Sequence, residues 1–289
     1  MTAAASAPAL HPIETPSGKD EAYENFPVGS WLLPAALRPH IARFYAFARA
    51  IDDIADSPDL APEDKIARLQ GFEDTLLARV PDDAAFAKAA RLRESLAETG
   101  VTTRHGVDLI AAFKQDAVKT RYTDWGELMD YCDRSAAPVG RYLLDLHGGS
   151  RDGYGPSDAL CNALQVINHL QDCRDDYRTL DRVYLPLDWM DEAGAGIEDL
   201  DAAKSSPELR EVLDRCLQGV EVLLADARRL PAGLHSRRLA MESAVIVEIA
   251  DRLTGLLTRR DPVAGRVALS KPGFLWCGLL GVVYALVRR

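Results

Sequence analysis

The chain is poor in several features that mark specialised protein classes. It has five cysteines, an odd number with no CxxC pair, so neither a disulfide framework nor a thiolate zinc site is written into it. A reduced cytosolic protein is the simple reading. Cationic residues are outnumbered: 34 Lys and Arg stand against 44 Asp and Glu, a formal net charge of −10. That argues against a nucleic-acid surface, because phosphate backbones are bound by clustered Lys and Arg. It leaves room for diphosphate ligands, whose charge metal ions can carry. The N-terminal MTAAASAPALHPIETPSGKD has no basic start followed by an apolar run, so it reads as a short disordered leader (residues 1–22) rather than a signal peptide. No alternating strand series appears, and no repeat.

What is present is helical periodicity. With 289 residues, 47% of them hydrophobic, the chain can bury a sizeable core. Apolar residues recur at three- and four-residue steps through 38–56, 63–79, 84–98, 106–119, 125–147, 157–179, 207–228, 235–257 and 274–287. Pro and Gly punctuate the gaps, as at Ser57-Pro58, Gly153-Tyr154-Gly155-Pro156 and Asp261-Pro262. Ser157 is a candidate N-cap. A single all-α domain over residues 23–289 is the economical reading. Its least regular part, Arg178 to Ser206, suggests a mobile loop. Near the end, Phe274–Val287 is apolar throughout. It falls short of the roughly 20 residues that span a bilayer. Two readings stay open: a docking helix, or a helix dipping into a membrane surface with Arg288 and Arg289 at the headgroups.

Two aspartate clusters carry the chemical signal. FYAFARAIDDIADSPD holds Asp52, Asp53 and Asp56; QVINHLQDCRDDYR holds Asn168, Asp172, Asp175 and Asp176. Residues four apart stack on one helix face, so Asp52 and Asp56 make one acidic stripe and Asn168, Asp172 and Asp176 another. Apolar neighbours imply partial burial, where like charges need compensation. Mg²⁺ suits such oxygen donors, taking one or two carboxylates and completing its shell with water and phosphate. Arg49 lies one turn from Asp52 and Asp53. It reads either as a local ion pair or as a grip on a ligand. Gln165 shares the face of Asn168, and Asn inside a helix needs a reason to be there. Bundles build metal sites from facing helices. The fitting chemistry is ionisation of an allylic diphosphate, with an apolar cavity shielding the cation from water. The di-iron alternative needs Glu-x-x-His elements, and none precedes His169. The other histidines show no ligand spacing. Lys114, Lys119 and Arg121 read as a solvated basic face in preference to a diphosphate grip.

FYAFARAIDDIAD, YCDRSAAPVGRYLL, NHLQDCRDDYR and RVYLP together resemble the squalene/phytoene synthase family, across residues 23 to 275. The resemblance implies an isoprenoid-synthase-type helical bundle with a central apolar cavity. It implies that two prenyl diphosphates are joined head to head. Asp52, Asp56, Asp172 and Asp176 then hold Mg²⁺, with Asn168 and Gln165 in the same cleft. Arg49 grips diphosphate; Tyr45 and Tyr131 lie near the reacting carbons. Tyr184 sits on a covering flap, and Arg266 and Lys271 match basic residues that also reach diphosphate. Ala136, Val139, Leu143 and Leu164 would form cavity wall.

ENFPVGSWLLP, SAAPVGR and LQDCRDDYR look like the bacterial hydroxysqualene synthase branch. That branch implies farnesyl diphosphate and presqualene diphosphate as substrates, capture of the cation by water, and no NADPH. Gln171 stands where phytoene-type relatives carry arginine, so it is a candidate for orienting water. The alternatives are phytoene, dehydrosqualene or squalene synthesis on the same fold, and a non-catalytic assembly factor. A cytoplasmic location is expected, with peripheral contact to the inner face of the membrane through the C-terminal segment.

Overall fold

In the computed structural model, residues 13–14 and 32–287 are described, with side chains through residue 281. Most of the expected leader, most of ENFPVGSWLLP, and Arg288 and Arg289 lie outside the described residues. Within the leader, Ile13 and Glu14 lie against the body. Arg68 donates to the Ile13 carbonyl (2.8 Å), and Lys88 pairs with Glu14 (2.6 Å).

The described residues form twelve α-helices: α1 (Arg38–Asp56), α2 (Pro62–Leu76), α3 (Ala87–Thr99), α4 (Arg104–Asp116), α5 (Trp125–Ser135), α6 (Ala137–Leu146), α7 (Gly155–Leu180), α8 (Leu187–Ala193), α9 (Pro207–Ala227), α10 (Leu230–Gly233), α11 (Arg237–Leu257) and α12 (Lys271–Val287). The longest, α7, packs against α6, α9 and α11, while α1 packs against α2, α3 and α4. Local chemistry sets several boundaries. Ser206 and Ser236 cap α9 and α11 by accepting from the amides of Leu209 and Leu239. Asp124 caps α5 through the Glu127 amide.

Three expectations change. The single helix read over 125–147 is two, broken at Ala136. Pro138 has no N–H to continue the ladder and its ring crowds the preceding turn. Ser157 does not cap α7: the N-cap is Tyr154, with no side-chain bond, and Ser157 is buried in the first turn beside Gly140. The irregular stretch after α7 contains a short strand, β2 (Val183–Pro186), paired in parallel with β1 (Arg121–Tyr122), and then α8. Two strands this short lack the alternating pattern that periodicity detects.

The end of α7 directs the chain back toward the core. Asp181 takes a left-handed conformation (φ 51°, ψ 37°), which Asp tolerates better than most residues. The next residue, Arg182, therefore turns back, and its N–H donates to the Asp176 carbonyl (3.2 Å). At the other end of the chain, α12 lies on α11. A Cβ at Gly281 would stand 2.5 Å from the Val245 backbone, so only glycine permits this approach.

Candidate active site

On α1, residues three and four apart face each other, and Arg49 meets both Asp52 (3.1 Å) and Asp53 (2.8 Å). The local ion pair read from the sequence is present. Asp53, which completes that face, is buried. Asp56, the last residue of α1, pairs instead with Arg182, Nη1 to Oδ1 at 2.6 Å. Arg182 is 4% exposed. Its Nη2 donates to the carbonyls of Ala55 (2.8 Å) and Asp116 (3.1 Å). One buried guanidinium thus joins the C-terminal ends of α1 and α4. Arg182 thereby links Asp56 of the first aspartate motif to the chain that follows the second, its own N–H bonding the Asp176 carbonyl. Burial works against its charge, but Tyr184, Asp56 and Asp116 outweigh that and hold Arg182 protonated.

Beside this cation stands an aromatic wall. Tyr122 of β1, Tyr131 of α5 and Tyr184 of β2 have ring centroids 5.3–5.6 Å apart. Tyr184 stacks on His169 of α7 at 3.7 Å. The Tyr131 hydroxyl donates to Asp116 Oδ2 (2.6 Å), and the Tyr184 hydroxyl donates to Asp116 Oδ1 (3.2 Å). Burial raises the Asp116 carboxyl to about 6, against the opposing pull of Arg182 and the Tyr131 hydrogen bond. Burial, and then the Asp116 charge, push both phenols well above their ordinary range, so they remain proton donors. His169 is driven down to about 3 by burial and by Arg182, so its ring is neutral. Gln165 lies 3.2 Å from His169 Nε2. With the amide as donor, the histidine proton sits on Nδ1.

On α7, Asn168, Asp172 and Asp176 are half-buried and Asp175 is exposed. The charge of Asp176 is one of the smaller contributions, after burial and the Asp116 charge, to the raised Tyr184 hydroxyl. Arg266, from the loop before α12, pairs with Asp172 (2.9 Å). That loop is fastened to α7 from below: the Gln171 amide donates to the Val267 carbonyl, and Arg174 Nη1 donates to the Val263 carbonyl (2.9 Å). Gln171 is 3% exposed. Its amide nitrogen therefore anchors the loop that carries Arg266, where the sequence suggested a group aimed at water. Lys271, at the start of α12, is exposed, and Tyr45 is half-buried. Val139, Leu143 and Leu164 are partly buried against the core, and Ala136 is buried.

The basic face expected at Lys114, Lys119 and Arg121 is instead paired: Lys114 with Glu73, Lys119 with Glu127, Arg121 with Asp181. Sequence reading missed Asp116, Arg182 and Tyr122. One signal was available. Asp116 follows Leu109 and Ala112 on a buried stripe of α4, and an acid at a core position needs a partner.

Among the described residues, no three His, Cys, Asp or Glu side chains converge as a ready-made metal site. Mg²⁺ does not require one, since it takes one or two carboxylates and keeps water and phosphate oxygens. The half-buried carboxylates Asp52, Asp56, Asp172 and Asp176, with the Asn168 amide, are hard oxygen donors of the type it accepts.

A family model described as squalene/phytoene synthase matches residues 20–272. A hydroxysqualene synthase from Rhodopseudomonas palustris is 46% identical over 280 residues, 96% of this chain and 94% of that protein. One from Sinorhizobium fredii is 42% identical, covering 92% of this chain and 90% of its own length. Among solved structures, squalene synthase HpnC from Alicyclobacillus acidocaldarius superposes with a TM-score of 0.70 at 31% identity, over 80% of this chain and 87% of that one.

Proposed function

Because the chain belongs to the squalene/phytoene synthase family, we propose that it is a prenyltransferase that forms hydroxysqualene from farnesyl diphosphate through presqualene diphosphate. Two farnesyl diphosphates join: the first diphosphate leaves as C1 of one chain bonds to the alkene of the other, and that carbon then loses a proton as the cyclopropane closes. The second leaves from that intermediate, and water then closes the cation, giving the alcohol and one proton. The observation that carries this reading is Arg182, which follows the second aspartate motif, bonds the Asp176 carbonyl and pairs with Asp56 of the first, with stacked Tyr131 and Tyr184 held close by on Asp116. Acidic side chains and arginine suit a metal-bound diphosphate, and neutral aromatic faces suit a carbocation.

In this reading Asp52, Asp56, Asp172 and Asp176, with Asn168, hold Mg²⁺. Bound there, Mg²⁺ neutralises charge building on departing diphosphate. Arg49, Arg266 and Lys271 supply direct cationic contacts to diphosphate. Tyr45, Tyr131 and Tyr184 line the region of the reacting carbons, and Gln165 holds His169 in the neutral tautomer beneath Tyr184. Val139, with Ala136, Leu143 and Leu164, shapes the prenyl chains. Gln171 sets the Arg266 loop. Gln171→Arg would put a longer, charged side chain into this buried position and lose the bond to the Val267 carbonyl, so it is expected to displace the Arg266 loop and shift the product profile away from the alcohol.

The direct test is product identification by mass after incubation with Mg²⁺ and either farnesyl diphosphate or presqualene diphosphate, with and without NADPH. Hydroxysqualene in amounts indifferent to NADPH supports the reading. Phytoene-type or squalene products would reassign the reaction. Failure to release diphosphate from either substrate would favour the assembly-factor alternative.

No helix among the described residues is long and apolar enough to cross a membrane. Leu275 and Trp276 of α12 are 77% and 52% exposed, and Leu279 and Leu280 extend the same apolar surface beyond Lys271. A peripheral position on a cytoplasmic membrane face, with this surface in the headgroup layer, accords with long prenyl substrates and products. Co-sedimentation with anionic vesicles should fall several-fold in Leu275→Glu/Leu279→Glu. Undiminished sedimentation would remove the membrane from the proposal.

A further inference from the structure

We propose that Asp116 is a positioning residue. It aims the phenol oxygens of Tyr131 and Tyr184 so that their lone pairs, not their protons, are presented toward the reacting cation. The inference rests on the proposed function, which places those two tyrosines beside the reacting carbons.

An ionised carboxylate accepts hydrogen bonds and cannot donate. Both oxygens of Asp116 are engaged, Oδ2 by the Tyr131 hydroxyl and Oδ1 by the Tyr184 hydroxyl. Each phenol has one proton, and Asp116 claims it. The phenol lone pairs are then left for the side away from Asp116. The two phenols come from different elements, α5 and β2, yet their rings lie 5.6 Å apart at 28°. One carboxylate thus sets two hydroxyl dipoles in concert, and Tyr122 flanks both rings at 5.3 and 5.5 Å. Preorganised dipoles of this kind do not reorient when charge develops, which is why they stabilise a transition state more than water does.

The acid has a plainer candidate role, neutralising Arg182. The geometry does not support that as its main task. Arg182 reaches the backbone carbonyl of Asp116 (3.1 Å), while its carboxylate partner is Asp56 (2.6 Å). The Asp116 carboxylate oxygens are spent on tyrosine. A carboxylate in this setting is also poorly suited to stability, since burial resists its ionisation and raises it to about 6. An apolar side chain would fill the same space without that penalty. Buried acids kept under such conditions cluster at functional sites.

The test uses the full chain with presqualene diphosphate and Mg²⁺. Asp116→Asn keeps the shape but offers an amide donor to one phenol, reversing that hydroxyl. The expected result is a fall in kcat of about a hundredfold, the scale of losing one preorganised dipole, with KM changed by less than about threefold. Hydroxysqualene should fall as a share of total product, and the melting temperature should stay within a few degrees of the parent. Tyr131→Phe should lower kcat on its own. The double variant Asp116→Asn/Tyr131→Phe should lose far less than the product of the two single losses, because both act through one oxygen.

A kcat within threefold of the parent, a change confined to KM, or multiplicative losses would each overturn the positioning role. If Asp116→Asn does not fold, Tyr131→Phe, Tyr184→Phe and their combination carry the test: sub-multiplicative losses support the shared carboxylate, and multiplicative losses overturn it. A parent chain with no Mg²⁺-dependent diphosphate release counts against the proposed function itself. An active parent matched by Asp116→Asn counts against Asp116 alone.

Discussion

The two carboxylate helices carry similar letters at similar spacing, yet their surroundings differ. At the end of α1 the acids meet guanidinium groups held by the core. Arg49 lies along the same helix, and Arg182 is 4% exposed and tied to the ends of α1 and α4. On α7 the acid Asp172 meets Arg266, whose side chain is 36% exposed and sits on a loop. Buried pairs are costly to break because the remaining charge is stranded, whereas exposed pairs are exchangeable and contribute little. The first motif is therefore also scaffold. The second is held by a partly exposed loop cation whose pairing is exchangeable, as the proposed diphosphate contact requires.

The largest expected effect tests whether the motifs are equal in chemistry and unequal in structure. Asp56→Asn and Asp172→Asn should each reduce Mg²⁺-dependent diphosphate release on the order of 10²–10³-fold. Thermal melting should then separate them, falling in Asp56→Asn, which strips Arg182 of its carboxylate partner, and barely moving in Asp172→Asn. Equal melting shifts would erase the contrast.

Arg182→Met is next. It leaves buried Asp116 without its neighbouring cation and removes the tie to Asp56. Urea titration should show a loss of about 3–5 kcal/mol.

A third prediction concerns pH. Asp116 is raised when folded, so the fold favours its protonated form. That contribution is present below its unfolded value near 4 and is lost as pH rises through about 6. Asn at this position cannot ionise. The stability of Asp116→Asn relative to the parent should therefore improve by about 2 kcal/mol between pH 4 and pH 7. Arg182, Asp56, Tyr131 and Tyr184 face the same carboxyl. They are common to both proteins and largely cancel in the difference. A relative stability that is flat with pH would mean Asp116 is not held back from ionising. The smallest effect belongs to Arg266→Met, which should cost under about 1 kcal/mol in the same urea assay. A loss as large as that of Arg182→Met would show that the loop cation, too, is structural.

Much of the site could be read in advance because its parts are local. Arg49 with Asp52 and Asp53 is a matter of three- and four-residue steps on α1. Asn168, Asp172 and Asp176 share a face of α7 for the same reason. Gln171 shows where such reading stops. Its sequence context suggested a neutral group that could orient water, and gave no sign that its amide nitrogen would bond the Val267 carbonyl of a distant loop. Nothing in helical periodicity says which loop will pass beneath a given residue. Pro138, by contrast, carried a legible signal for the break between α5 and α6.

The sequence by itself determined the all-helical architecture, the limits of α1 and α7, and the two acidic faces, because each follows from side-chain period and backbone sterics within a few turns of chain. Tertiary structure alone decided that Arg182 would find Asp56 and that Asp116 would gather Tyr131 and Tyr184. Those meetings join residues separated by many turns. They depend on how whole helices pack and on one left-handed residue, Asp181, that sends the chain back into the core. Once there, the cost of leaving a buried charge unpaired selects the partner.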